Sequence, residues 1–182
     1  MILMFGPVGA GKSVQGNMLA ERQGWRWLST GQMFRESNDA AVKARINRGD
    51  LIRDDETYIV LRGALLKLQQ EGVKNIILDG FPRTREQAQW LVDHQTELDA
   101  VIDTTIVLDV PETELITRLM GRGRAEDTPE TIKHRLDIYH QTTEPVLEVL
   151  TANNVSVQHI NGVGSPEQVA ERVAGAAQKV LG

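Results

Sequence analysis

The chain has 182 residues, 41% hydrophobic and 25% charged, with a net charge of -5 and no cysteine. That length suits one domain with room for a small insertion, and the negative balance argues against nucleic acid, whose phosphate backbone favours spread basic surface. Disulfides and cysteine-ligated zinc are excluded, no apolar run approaches the roughly 18 residues of a membrane helix, and Met1 to Gly9 lacks a signal peptide's regions, so a cytoplasmic protein is expected.

Ile2 to Phe5 reads as a short buried strand, and Lys12 to Glu21 as the helix after it. Between them GPVGAGKS, Gly6 to Ser13, satisfies G-x-x-x-x-G-K-[ST]. Its glycines let backbone N–H groups turn inward around phosphate oxygens, the helix adds its positive end, and Lys12 reaches the outer phosphates. A dinucleotide fingerprint fails, because Val14 stands three residues after Gly11 where a third glycine is needed. Neither D-x-x-G after the strand nor N-K-x-D occurs, so a GTPase switch also fails. The pattern predicts a nucleoside triphosphate site.

Trp25 to Leu28 predicts a second strand, ended by Ser29 and Thr30, and the polar stretch from Gly31 to about Arg48 predicts helix. Arg35 lies one helical turn past Thr30-Gly31. The Asp54 to Glu71 segment carries Ile59, Leu61, Leu65 and Leu68 at near-helical spacing. Asn75 to Leu78 is the third strand, ending in Asp79-Gly80. In open parallel sheets ligands gather beyond the strands' carboxyl ends, so Asp79 is expected near the phosphates, organising Mg²⁺ through water. Arg83 follows a turn fixed by Pro82, and with Arg35 it predicts a clamp for a second phosphate group beside the first.

A helix from Thr84 to about His94, a strand from Thr105 to Leu108 and a helix from Glu112 to Met120 follow. Next comes RLMGRGRAEDT, with Arg118, Arg122 and Arg124 separated by glycines: a local cationic cluster on an acidic chain. Thr128-Pro129 predicts a helix start whose apolar face carries Ile132, Leu136, Tyr139, Val146 and Leu150. A strand near Val155 to Ile160 and a helix from Pro166 to Leu181 complete the chain. Strands alternating with helices predict a parallel sheet covered on both faces. No role is assigned to His94, His134, His140 or His159.

GPVGAGKSVQ, STGQMFR, RGDLIRDDE, DGFPRTREQAQ and RGRAEDTPETIKHRL recur in this order in adenylate kinases of the short-lid type, and the chain resembles that family over nearly its whole length. The resemblance implies a P-loop three-layer α/β/α fold with a five-stranded parallel sheet in one domain, 1–182. It implies a core of 1–29, 54–120 and 128–182, a nucleoside-monophosphate-binding helical insertion over about 30–53, and a very short lid over about 121–127. The implied reaction is ATP plus AMP giving two ADP, with Mg²⁺ and without zinc, nucleic acid or membrane, in a monomer.

By the same resemblance, Gly9, Ala10, Gly11, Lys12, Ser13 and Val14 form the ATP phosphate loop, with Ser13 and Asp79 serving the metal. Arg118 stacks on the ATP adenine, and Gly164 in INGVGS supplies a backbone contact to that base. Thr30, Gly31, Arg35, Asp50, Leu51 and Ile52 form the AMP pocket. Gly80, Phe81, Pro82, Arg83 and Gln87 close it, Gln87 reading the adenine edge. Arg122 on the ATP side, and Arg124 and Arg135 on the AMP side, surround the transferring phosphoryl and join Lys12 and Arg83 as the catalytic set.

Four departures from the family pattern stand out. Ser13-Val14 replaces Gly-Thr, Gln32 replaces aspartate, Glu126-Asp127 replaces a pair of aspartates, and Arg122-Gly123-Arg124 is tighter than the short lid. A UMP/CMP-type kinase is the nearest alternative, disfavoured by Thr84 and Gln87 where pyrimidine enzymes carry asparagines. A small-metabolite kinase of shikimate type leaves Thr30 and Gln87 unexplained. A nucleotide-binding regulator or NTPase is the alternative of another class.

Overall fold

The structure, a computed structural model, describes residues 1–181. Five short strands form one all-parallel sheet: β1 (Ile2–Phe5), β2 (Arg26–Ser29), β3 (Ile76–Asp79), β4 (Thr104–Asp109) and β5 (Ser156–Asn161), in the order β2-β3-β1-β4-β5. Strand residues alternate between faces, and both faces are covered, so the central strands are mostly apolar, with Asp79 and Asp109 at carboxyl ends and Thr104 and Thr105 at the start of β4. Leu3 and Phe5 of β1 face one core, with Leu78 and Phe81. Ile2 and Met4 face the other, with Ile77, Ile106 and Leu108.

The first core is closed by α4 (Asp54–Gln70), α5 (Arg85–His94) and α8 (Val146–Ala152), through Leu61, Leu65, Leu91, Val146 and Leu150. The second is closed by α1 (Lys12–Gln23), α6 (Glu112–Arg122), α7 (Pro129–Ile138) and α9 (Pro166–Leu181), through Leu19, Leu115, Leu119, Ile132, Leu136 and Val173. From β1 the chain leaves towards β2, and from the adjacent β4 it leaves towards β5. Neighbouring strands whose exits diverge leave a crevice at their carboxyl ends. The phosphate loop opens into it.

Three local features differ from the sequence expectation. The polar stretch after β2 is two helices, α2 (Thr30–Glu36) and α3 (Ala40–Arg48), split where Asp39 Oδ1 accepts from Ala41 N at 2.7 Å and Val42 N at 3.2 Å. A side chain that satisfies free helix-start donors nucleates a new helix there. The stripe from Ile132 to Leu150 is interrupted by a π turn, Tyr139–Thr143. Pro145 has no N–H to continue the α-helical ladder, and Glu144 N bonds Tyr139 O at 2.7 Å instead. Finally, α6 runs through Gly121 to Arg122 and stops at Gly123, whose φ of 71° provides the left-handed cap. Arg122 therefore ends a helix.

Candidate active site

The phosphate loop needs glycine where its backbone turns and where neighbours press in. Gly6 has φ 129°, and a Cβ there would lie 2.8 Å from the Leu108 carbonyl oxygen. Gly9 has φ 85°, and a Cβ would lie 3.0 Å from Leu119 Cγ. The loop is thus seated on β4 and α6, the helix that carries Arg118 and Arg122. Lys12 Nζ donates to the carbonyls of Gly6 at 2.7 Å and Pro7 at 2.8 Å. Burial pulls the Lys12 ammonium down to about 8; Asp79 offsets part of this, while Arg83 and Arg122 add to it.

Asp79 ends β3 beside β1, and its side chain is buried. Its Oδ2 accepts from Ser13 Oγ at 2.6 Å. A hydroxyl and a carboxylate side by side suit a hard cation such as Mg²⁺, which takes one or two protein oxygens and fills its shell with phosphate and water. Among the described residues no three His, Cys, Asp or Glu side chains form a metal cage. Val14, the residue without the family hydroxyl, borders the same cavity and is half-exposed.

Five arginines line the same cavity as the loop. Arg35 comes from α2, Arg83 from the segment after β3, Arg122 from the end of α6, Arg124 from the α6–α7 turn, and Arg135 from α7. A Cβ placed on Gly31 would lie 3.4 Å from Arg35 Nη1 and 3.6 Å from Arg83 Nη2, so these two forks converge. Arg83 Nε donates to Gly80 O at 2.7 Å. Phe81 anchors this segment, packing edge-on to Tyr58 of α4 and Trp90 of α5 with ring centroids at 6.3 and 6.1 Å.

The guanidinium groups of Arg35 and Arg124 have no hydrogen-bond or ion-pair partner among the described residues. Burial first, and then one another's charge, hold Arg35, Arg83, Arg124 and Arg135 below the usual arginine range. Cations gathered in excess of the carboxylates beside them are a site built for an anion. Asp79, Glu126 and Asp127 each relieve part of the load, and Asp127 does so by direct contact. Asp127, its side chain 1% exposed, accepts from Arg122 twice at 2.7 Å and from Arg135 at 3.4 Å.

The segment between β2 and α4 packs against α7 on the arginine side. Arg135 Nη2 donates to Ile46 O at 2.9 Å, and Gly49 packs so tightly on α7 that a Cβ would lie 2.9 Å from Thr131 Cγ2. Asp50 borders the cavity, but its carboxylate is engaged by Arg48 and His134. Those bonds hold it below the usual carboxylate range, His134 most of all.

Arg118 donates to Glu114 at 2.8 Å and to the Gly162 carbonyl at 3.1 Å, and it borders the same cavity as Gly164.

Every site residue expected from the sequence borders one cavity of ≈ 570 Å³. Two carboxylates that shape it were not among those expectations. Asp127 ties two arginines, and Asp54 holds the amide of Gln87, which is buried. The signal for Asp127 is its position just past two arginines. Asp54 carries no local signal beyond opening a helix.

No helix of the described residues is long and apolar enough to cross a membrane. The profile of the family described as adenylate kinase matches residues 4–155. Proteins named adenylate kinase are similar to this chain: from Synechococcus sp. WH7803 at 35% identity, covering 94% of this chain and 95% of that protein, and from Leptospira biflexa at 36%, covering 94% and 96%. The adenylate kinase of Prochlorococcus marinus MIT 9301 is 40% identical over 81% of this chain and 82% of its own length. With the phosphate loop, the buried Asp79 and the arginine cluster about one cavity, these matches establish that the chain belongs to the adenylate kinase family.

Proposed function

We propose that the cavity holds ATP and AMP end to end and carries the γ-phosphoryl group from one to the other, giving two ADP. The chain is a phosphotransferase of the adenylate kinase family. What carries the division into two sites is the unpaired charge. Lys12 stands over the phosphate loop, its Nζ on the Gly6 and Pro7 carbonyls, and Arg35 and Arg83 converge beside Gly31. Arg122, Arg124 and Arg135 stand in the same cavity.

In the reaction an oxygen of the AMP phosphate forms a bond to the γ-phosphorus, and the bond to the β,γ-bridging oxygen breaks. The AMP phosphate is itself an adequate nucleophile, so no general base is assigned. Charge spreads over the equatorial oxygens, and positioned cations stabilise it. Lys12 and Arg122 hold the donor phosphates, Arg35 and Arg83 hold the AMP phosphate, and Arg124 and Arg135 meet the group in transit. Ser13 and Asp79 would hold Mg²⁺, which would supply positive charge to offset that of the donor phosphates.

Arg118 stacks on the donor adenine beside Gly164, and Gln87 reads the acceptor base beside Leu51 and Ile52. The insertion over 30–53 and the turn over 121–127 move against the core, which excludes water from the transferring group. The reading includes a monomer in the cytoplasm. A pyrimidine acceptor or a non-transferring switch is not favoured, since the similar proteins bear the adenylate kinase name.

ADP formation from Mg-ATP with AMP, GMP, CMP or UMP, beside a tube without acceptor, tests the reading. A response to AMP is expected. Equal ADP in every tube would mean hydrolysis, and a response to CMP or UMP alone would reassign the acceptor.

A further inference from the structure

Gln87 borders the cavity, and its amide is not free to choose how it faces it. Its Oε1 accepts from the backbone N–H of Arg83 at 2.7 Å, and its Nε2 donates to Asp54 Oδ1 at 2.7 Å. Turning the amide over would set Oε1 against the Asp54 carboxylate and Nε2 against the Arg83 N–H. Two repulsive pairs would replace two hydrogen bonds, so the network settles the orientation.

Both partners are themselves placed. Asp54 opens α4, and Arg83 follows the buried Phe81-Pro82. Thr84 caps α5 by accepting from Gln87 N at 3.1 Å, and its hydroxyl makes a longer bond of 3.4 Å to Asp54 Oδ2.

A glutamine amide has two N–H donors and two acceptor lone pairs. With one of each engaged by the protein, Gln87 keeps one N–H and one lone pair for a ligand, in fixed order. The pairing edge of adenine offers a donor, the N6 amino group, beside an acceptor, N1. The 6-oxopurines offer the reverse, an O6 acceptor beside an N1–H donor. A freely turning glutamine satisfies either edge and selects neither.

We propose that Asp54 determines acceptor specificity: its carboxylate locks the Gln87 amide in the orientation that pairs with adenine and meets a 6-oxopurine with like against like. This rests on the reading of Gln87 as the residue that meets the acceptor base. Asp54 does not border the cavity and acts through Gln87, as a positioning residue.

The test compares kcat/KM for AMP, IMP and GMP in the unaltered protein and in Asp54→Asn, Asp54→Ala and Gln87→Leu. The KM for ATP and the melting temperature are measured alongside. An asparagine at 54 can donate or accept, so it tolerates both orientations, and alanine supports neither. Both Asp54 variants should lower the AMP-to-IMP ratio by about 10–100-fold, the factor one misplaced hydrogen bond carries in a water-excluded site. The change should lie in the acceptor KM, with the KM for ATP unmoved, which general loosening of the fold would not produce.

If Gln87→Leu collapses the ratio while both Asp54 variants keep it, Gln87 stands as the reader and the lock is overturned. If Gln87→Leu leaves the ratio unchanged, the reading of Gln87 falls and the lock falls with it. Equal use of AMP and IMP by the unaltered protein would also overturn the proposal.

Discussion

Arg135 separates catalysis from stability more sharply than any other residue of the site. Its side chain is 16% exposed, packs its stem beside Gly49 and makes two hydrogen bonds, to Ile46 O at 2.9 Å and to Asp127 at 3.4 Å. In Arg135→Ala, Asp127 keeps both bonds to Arg122, and only the Ile46 carbonyl loses a close donor. A charged donor on a carbonyl contributes about 1.5–3 kcal/mol. Against that, burial is the first cause of its lowered pKa, so removing the group relieves a desolvation cost, while the attraction of Glu126 and Asp127 that is lost outweighs the repulsion from Arg122 and Arg124. The net loss of stability should be about 1 kcal/mol, or roughly 2–4 °C in Tm for a chain of this length.

Turnover should respond very differently. A preorganised donor to the developing phosphoryl charge is worth about 10²–10³ in kcat. Arg135→Lys keeps the charge but not the fork, and should fall between the two. Steady-state kinetics with saturating ATP and AMP, beside a thermal melt, reads both quantities. A loss in kcat below about tenfold in a folded Arg135→Ala protein would remove the residue from the site. A fall in Tm large enough to unfold the enzyme at the assay temperature would make Arg135 structural and refute the reasoning.

Lys12 binds phosphate as the ammonium, and burial lowers its pKa from 10.5 to about 8 in the free protein. Because the lowered pKa belongs to the unliganded state, kcat/KM for Mg-ATP should fall as pH rises through about 8. Bound phosphate favours the charged form, so kcat at saturating ATP should hold to higher pH. A kcat/KM flat across that range would contradict the burial of Lys12. Gly49→Ala adds a Cβ 2.9 Å from Thr131 Cγ2 at a φ of 81°. It should cost about 1–2 kcal/mol and raise the KM for AMP more than that for ATP. The control is Gly63→Ala on α4, where nothing lies within 4 Å and the helix should gain about 0.5–1 kcal/mol. Matching melting temperatures for the two variants would show that the insertion does not rest on α7 through Gly49.

The fold was legible because each short apolar run, such as Ile2–Phe5 or Ile76–Asp79, is too short for a helix and is followed by a segment of helical period. The phosphate loop was legible for a similar reason, since only glycine meets its torsions and close contacts. Boundaries failed where a local signal was overridden. Gly121 reads as a helix breaker, yet the packing of Leu115 and Leu119 carries α6 past it to the true cap at Gly123. An unbroken stripe from Ile132 to Leu150 hides the π turn, because periodicity says nothing of which carbonyl Glu144 N will choose.

Arg35, Arg83, Arg122 and Arg124 stand out from the local sequence and Arg135 only through the family resemblance, but the anchors of these arginines could not be read from either. Asp127, in a polar turn, reads as solvated surface; only the turn back from α6 into α7 brings Arg122 and Arg135 over it. Asp54 lies 33 residues from Gln87, and the folded sheet alone brings the two together.

The central claim is direct transfer between two nucleotides in one cavity, and ATP labelled at the γ-phosphorus tests it most directly. With Mg²⁺ and AMP present, the account predicts that the label appears in ADP, one labelled ADP for each AMP consumed, with none in inorganic phosphate. Label released as inorganic phosphate at a rate indifferent to AMP would contradict it.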